Sequence, residues 1–177
     1  MKKILLNILT SGLVSASALV PNFAHATTVP EALKCAFCQE EVLATHTFYV
    51  GERARALITY KPAVDGHVLI IPERHVERFE QLTSEELAEM GEIIKKVDQA
   101  VKNIYGNTGY LLLQKNGKEA GQSVPHVHFH YLPRTEGDGH WLFAIKFLIS
   151  DYQSPLSPEK MKEITQRLQA EIERNAR

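Results

Sequence analysis

Apolar and polar positions divide this chain into short extended segments and two helices. Residues 45–50 and 53–60 are rich in β-branched and aromatic side chains and flank Gly51-Glu52, a pattern that predicts a hairpin. After Lys61-Pro62 and Asp65-Gly66 break the chain, Val68-Leu69-Ile70-Ile71 reads as a short buried strand ended by Pro72. Thr83 and Glu86 form a capping box, in which the hydroxyl and the carboxylate each satisfy a free backbone N–H. Leu87, Met90, Ile94, Val97, Val101 and Ile104 then recur at helical spacing, so a helix ended by Gly106 lays one apolar stripe on a sheet. Residues 110–114 read as a strand, 115–123 as a polar loop, and 124–132 as a further strand that Pro133 stops. The apolar run 141–149 fits either a strand or a docking segment. Ser157-Pro158-Glu159 starts a last helix, with Met161, Ile164, Leu168 and Ile172 on its inner face. The pattern predicts an α+β fold: an antiparallel sheet of about five strands, a long helix on one face and an additional C-terminal helix.

The first residues stand outside that pattern. Met1-Lys2-Lys3, an apolar run over 4–20 and the small-residue site Ala24-His25-Ala26 have the layout of a secretory signal peptide, with cleavage expected after Ala26. Asn7, Thr10, Ser11, Ser15 and Ser17 interrupt the run, whereas a membrane span takes roughly 20 mostly apolar residues. The expected organisation is a signal peptide over 1–26, one domain over 27–156 and a C-terminal helix over 157–177. The protein is expected to be exported, periplasmic or secreted, with no membrane attachment after cleavage. About 150 residues then remain, the size of one domain. The 20 basic and 21 acidic residues nearly balance, and losing Lys2 and Lys3 tips the remainder further toward acid. Such a chain has no global attraction for nucleic acid.

Candidate chemistry gathers at two places. Cys35 and Cys38 are the only two cysteines. A bridge across so tight a loop removes little entropy from the unfolded chain, so a disulfide stabilises weakly even in an oxidising compartment. A metal site, a redox pair and free thiols all stay open. The other place is His126-Val127-His128-Phe129-His130-Tyr131. On a strand, alternation sends Val127, Phe129 and Tyr131 into the core and the three imidazoles to the other face, with neighbouring rings about 7 Å apart at the backbone. Clustered imidazoles suit nucleophilic catalysis, because a neutral ring is available near its ordinary pKa of about 6.5. They also suit metal binding. Isolated histidines such as His46 and His140 read as surface or internally satisfied residues.

Residues 122–132, Gln-Ser-Val-Pro-His-Val-His-Phe-His-Tyr-Leu, resemble the His-φ-His-φ-His-φ-φ signature of the histidine triad (HIT) family. Residues 61–72, including Gly66-His67, resemble the strand that precedes the helix in that family. Arg74-His75-Val76-Glu77-Arg78-Phe79 is similar to the fragile-histidine-triad branch, whose members hydrolyse diadenosine polyphosphates. The resemblance spans residues 35–135 and implies a HIT-like fold and a homodimer whose sheets join edge to edge. It also implies nucleotidyl transfer or hydrolysis in which the middle histidine, His128, attacks an α-phosphorus and carries a transient adduct. His130 would bind phosphate or handle the leaving-group proton, and His67 would lie beneath the cluster as orienter. Gln122, Ser123 and nearby loop N–H groups would hold phosphoryl oxygens. Cys35 and Cys38 match the C-x-x-C start of zinc-carrying members, in which the remaining ligands map to His75 and His126. Two thiolates and two imidazoles make a closed tetrahedral zinc site.

Two positions depart from the family pattern. Thr59-Tyr60-Lys61-Pro62 lacks the Asn found just before this step in fragile-histidine-triad enzymes. Where the family offers Asn or Gln to the substrate, this chain has Lys115, flanked by Gln114 and Asn116. A cation can still hold phosphate there. The expected substrates are therefore dinucleoside polyphosphates, nucleoside phosphoramidates or similar nucleotidyl esters. The alternative is a zinc- or copper-binding protein without catalysis, in which the Gly121-Gln122-Ser123 loop would have no use.

Overall fold

The computed structural model describes residues 35–177, so the signal-peptide reading of residues 1–26 falls outside the described residues. After a single 3-10 turn at Ala36–Cys38 comes helix α1, Glu40–His46, and then strands β1, Thr47–Val50, β2, Ala54–Ile58, and β3, Val68–Pro72. Helix α2 spans Ser84–Tyr105, β4 Gly109–Gln114 and β5 Phe129–Arg134. Helices α3, His140–Ile149, and α4, Pro158–Asn175, complete the chain. The strands form one antiparallel five-stranded sheet in the order β1-β2-β3-β5-β4, the α+β architecture that the pattern predicts. No helix among the described residues is long and apolar enough to cross a membrane.

One face of the sheet carries the main core. Ala54, Ala56 and Ile58 of β2, Val68 and Ile70 of β3 and Tyr131 of β5 meet Met90, Ile93, Val97, Ala100 and Val101 of α2. The capping box is present as predicted, with the Thr83 hydroxyl accepting from the Glu86 N–H and the Glu86 carboxylate accepting from the Thr83 N–H. The same carboxylate takes two bonds from Arg74, which tethers the end of β3 to the first turn of α2. Leu87 is exposed, whereas Ile93 and Ala100 are buried, so the apolar stripe is rotated from the one expected. At the other end Gly106 caps the helix with φ 72°. Gly66, at φ 78°, is required at its turn, because a Cβ there would sit 2.8 Å from Val101.

Helix α4 lies against α2 and β1, with Met161, Leu168 and Ile172 in this same core. Among the described residues it therefore packs at the β1 end of the sheet, and none pairs with the outer edge of β4. The opposite face of the sheet is covered only in part. There Phe143 and Phe147 of α3 pack on Ala63, Leu113 and Leu132, while Trp141, Leu142, Ile145 and Leu148 stay exposed.

Three local readings are corrected. Thr45 and His46 belong to α1 rather than to the hairpin, since the Glu-Glu-Val-Leu-Ala run forms a helix and the Thr45 hydroxyl bonds back to the Glu41 carbonyl. The strand expected over 124–132 pairs only from Phe129 to Arg134 and continues through Pro133. Beyond Tyr131, β5 has β4 as its sole neighbour, a place where a missing N–H is tolerated. The apolar run 141–149 is not a strand but the helix α3, which docks on the sheet through Phe143 and Phe147.

Candidate active site

The triad is divided between two adjoining clusters. His126 and His128 precede β5, outside its strand ladder, where the Val127 N–H donates to the Val76 carbonyl. His130 lies within β5, opposite Leu69 of β3 and Leu113 of β4. His126 is fully buried and turns toward Cys35, Cys38 and His75. His128 and His130 face a cleft of about 520 Å³ on the α3 side of the sheet. Phe37, inside the Cys-x-x-Cys turn, separates the clusters, with its ring edge-on to His126 and His128. A larger cleft between β1, α2 and α4 has no histidine or cysteine among the described residues that line it.

Backbone partners fix where each imidazole proton sits. His67 Nδ1 accepts from the Ala63 N–H at 3.1 Å, so the His67 proton is on Nε2, which donates to His130 Nδ1 at 3.0 Å. A neutral His130 consequently carries its own proton on Nε2. His128 Nδ1 donates to the His126 carbonyl at 2.7 Å, which leaves the Nε2 lone pair of His128 free. His126 Nε2 donates to the Pro72 carbonyl at 3.0 Å, and its Nδ1 lone pair points at the thiols.

Burial keeps these rings uncharged. It is the main cause lowering the pKa of His67 to about 3 and of His130 to about 2, with the neighbouring rings adding to it. His128 is lowered by burial and by the charge of Lys115, against the raising effect of its bond to the His126 carbonyl. His126 falls to about 4, chiefly through burial. The site therefore combines a bare nitrogen on His128, chemically able to act as a nucleophile, with a hydrogen-bond donor on the neighbouring His130.

The second cluster fits a metal ion. The ligand atoms of Cys35, Cys38, His75 and His126 all lie within 4.8 Å of one another. The sulfur-to-Nδ1 distances are 3.6 Å from Cys35 to His126, 3.4 Å from Cys38 to His75 and 3.6 Å from Cys38 to His126. Tetrahedral zinc with ordinary bond lengths places sulfur and nitrogen about 3.5 Å apart. Burial pushes the Cys35 thiol up to about 11, so a thiolate there calls for a nearby cation. Both cysteines are free thiols in the structure.

Not every expected residue reaches the cleft. Lys115, Ser123 and His67 line it together with His128 and His130. Gln122 is not among the lining residues; its side chain accepts from the Gly117 N–H and donates to the Glu77 and His126 carbonyls, so it pins the loop. Asn116 likewise ties the loop to the segment before α2, accepting from the Phe79 N–H and donating to Glu80. His46, expected at the surface or satisfied within the fold, is half-buried, bonds to the Val42 carbonyl and lines the cleft beside Tyr60. His140 is exposed, as expected. Phe37 and Phe147 also line the cleft and had gone unnoticed, although the first sits inside a motif already singled out.

A five-stranded antiparallel sheet that presents a free histidine nitrogen beside a histidine N–H, next to the loop that carries Lys115 and Ser123, defines a class of histidine-centred α+β proteins. The HIT domain family model matches residues 40–137, and the chain belongs to that family. It is 33% identical over 128 residues to a bis(5'-adenosyl)-triphosphatase of Dictyostelium discoideum, a match covering 72% of this chain and 86% of that protein. It is 30% identical over 142 residues to the adenosine 5'-monophosphoramidase hnt1 of Schizosaccharomyces pombe, covering 79% and 99%. These relatives are hydrolases by name. Among solved structures, the C. elegans NitFhit protein aligns with a TM-score of 0.61 and 34% identity, over 72% of this chain and 27% of that longer one.

Proposed function

We propose that this protein is a nucleotide hydrolase or nucleotidyl transferase acting on dinucleoside polyphosphates, nucleoside phosphoramidates or similar compounds. The observation that carries the reading is the proton arrangement at the cleft, with a free Nε2 on His128 and an N–H on His130. His128 Nε2 forms a bond to the α-phosphorus as the bond to the leaving group breaks; the neutral His130 keeps its Nε2–H and donates a hydrogen bond to the departing atom, so a polyphosphate leaves as an anion and an amine takes its proton from solvent. Water then attacks the same phosphorus, the phosphorus–nitrogen bond breaks with its electron pair returning to His128, and the proton that the water loses passes to solvent. Ser123 holds an α-phosphoryl oxygen, Lys115 stands at the β4 end of the cleft, and His67 keeps His130 in the required tautomer.

Cys35, Cys38, His75 and His126 would hold a structural zinc ion, which stabilises the fold at the base of the site and takes no part in the chemical step. A carrier function is less well supported, because His128 and His130 lie outside this four-ligand set. The open β4 edge supports a homodimer joined there. The exported setting is supported by the leader pattern of residues 1–26.

A substrate panel with the wild type and His128→Ala tests the nucleophile. Turnover is expected to fall by a factor on the order of a thousand or more in the variant. Equal rates for both proteins on every cleaved substrate would reject the assignment. Mass spectrometry after brief exposure to substrate should locate a nucleotidyl adduct on His128, and the same spectrum reads whether the isolated chain begins at Thr27.

A further inference from the structure

The two named relatives differ in what leaves the phosphorus, a phosphate chain in one and an amine in the other. The charge distribution around the cleft bears on that choice. Among the described residues no carboxylate lines it, while Lys61 and Lys115 do. Lys115 follows Gln114, the last residue of β4, one step beyond the Leu113–His130 pair, so the ladder that positions His130 also sets Lys115 at the rim. The Lys115 ammonium lies 5.2 Å from the centre of the Phe147 ring and close against Gly121, where a Cβ would stand 3.8 Å from it. It forms no ion pair among the described residues. The acidic residues nearby, Glu77, Glu80 and Glu119, act on Arg78 instead.

The order of strands gives the cleft a direction. Leu57 and Ile58 of β2, with Val42 and Tyr60, line the end suited to a nucleoside. The histidines come next, and Lys115 and Ser123 stand at the β4 end. A nucleotide with its base toward β2 and its α-phosphorus at His128 thus directs its leaving group toward Lys115.

We propose that Lys115 is a specificity-determining residue that selects leaving groups carrying a phosphate chain over uncharged amines. This inference rests on the nucleotidyl reading above. A partly desolvated ammonium with no carboxylate partner among the described residues stabilises the negative charge that gathers on a departing polyphosphate. It gives little to a departing amine, which takes up a proton and leaves uncharged.

The test compares kcat/KM for diadenosine tetraphosphate and adenosine 5'-phosphoramidate in the wild type, Lys115→Gln and Lys115→Arg. Lys115→Gln should lower the value for the tetraphosphate by roughly ten- to a hundredfold and for the phosphoramidate by no more than about threefold. Lys115→Arg should recover most of the loss. Inorganic tripolyphosphate titrated into His128→Ala, and into His128→Ala with Lys115→Gln, reads the same contact without turnover, and the second protein should bind at least about tenfold more weakly. Equal losses on both substrates, or none on the tetraphosphate, would overturn the proposal while leaving the nucleotidyl reading intact. A wild type that cleaves neither substrate would remove the reading and the inference together.

Discussion

At the scale of single residues, the site depends on rings that stay neutral because they are buried. His67 and His130 titrate near 6.5 in an unfolded chain but at about 3 and about 2 in the folded protein. Between those limits the unfolded state binds more protons, so folding stability is full above pH 6.5 and declines as pH falls. The loss reaches up to about 2 kcal/mol per ring by pH 5. Chemical denaturation at pH 7 and pH 5 should therefore show a smaller pH-dependent loss in His130→Asn than in the wild type. An identical loss in both proteins would show that His130 ionises freely in the folded state. The triad was legible because its alternation is a property of the chain. The proton positions were not, because they depend on the carbonyl of Pro72 and the N–H of Ala63, which only the folded backbone brings into place.

At the scale of elements, legibility followed local signals. Helix α2 carries a capping box, helical periodicity and a terminal glycine, all of which agree with its tertiary role. Helix α3 lacks them: its N-cap is Gly139 with no side-chain bond, and its residues are apolar nearly all round, so periodicity cannot separate helix from strand. The start of β5 was misplaced for a related reason. Residues 126–128 alternate like a strand, but the Val127 N–H bonds to Val76, beyond the end of β3. Strand β4 has a different consequence. It is an outer strand of six residues without lysine or proline, and Tyr110, Leu111 and Leu112 are exposed along it. Such an edge invites pairing with a second copy. Sedimentation analysis should give a dimer for the wild type and a shift toward monomer for Leu111→Glu, by about tenfold or more in dissociation constant. A wild type that sediments as a monomer at micromolar concentration would rule the pairing out.

At the scale of the whole molecule, α2 and α4 build the core on one face of the sheet, and the chemistry occupies the other. The layout followed from the sequence pattern, whereas the packing of α4 beside β1 did not, since its apolar face names no partner. The proposed zinc binds one body of this layout together, because its ligands come from the turn before α1, the segment after β3 and the approach to β5. Removing it with a chelator should lower stability by about 3 kcal/mol if the ion is present at about a hundred times its dissociation constant. Melting curves and metal analysis check this, with one ion per chain expected. An unchanged melting temperature after complete removal would exclude a structural role.

His126 gives that ion a reach beyond stability. Its ring faces the thiols, while its carbonyl accepts the hydrogen bond from His128 Nδ1. One residue thus serves as both anchor and hinge pin, and a chain deprived of the ion would lose the aim of the proposed nucleophile before it lost its shape. Scarcity of metal would then silence the enzyme while leaving a folded population ready to be revived.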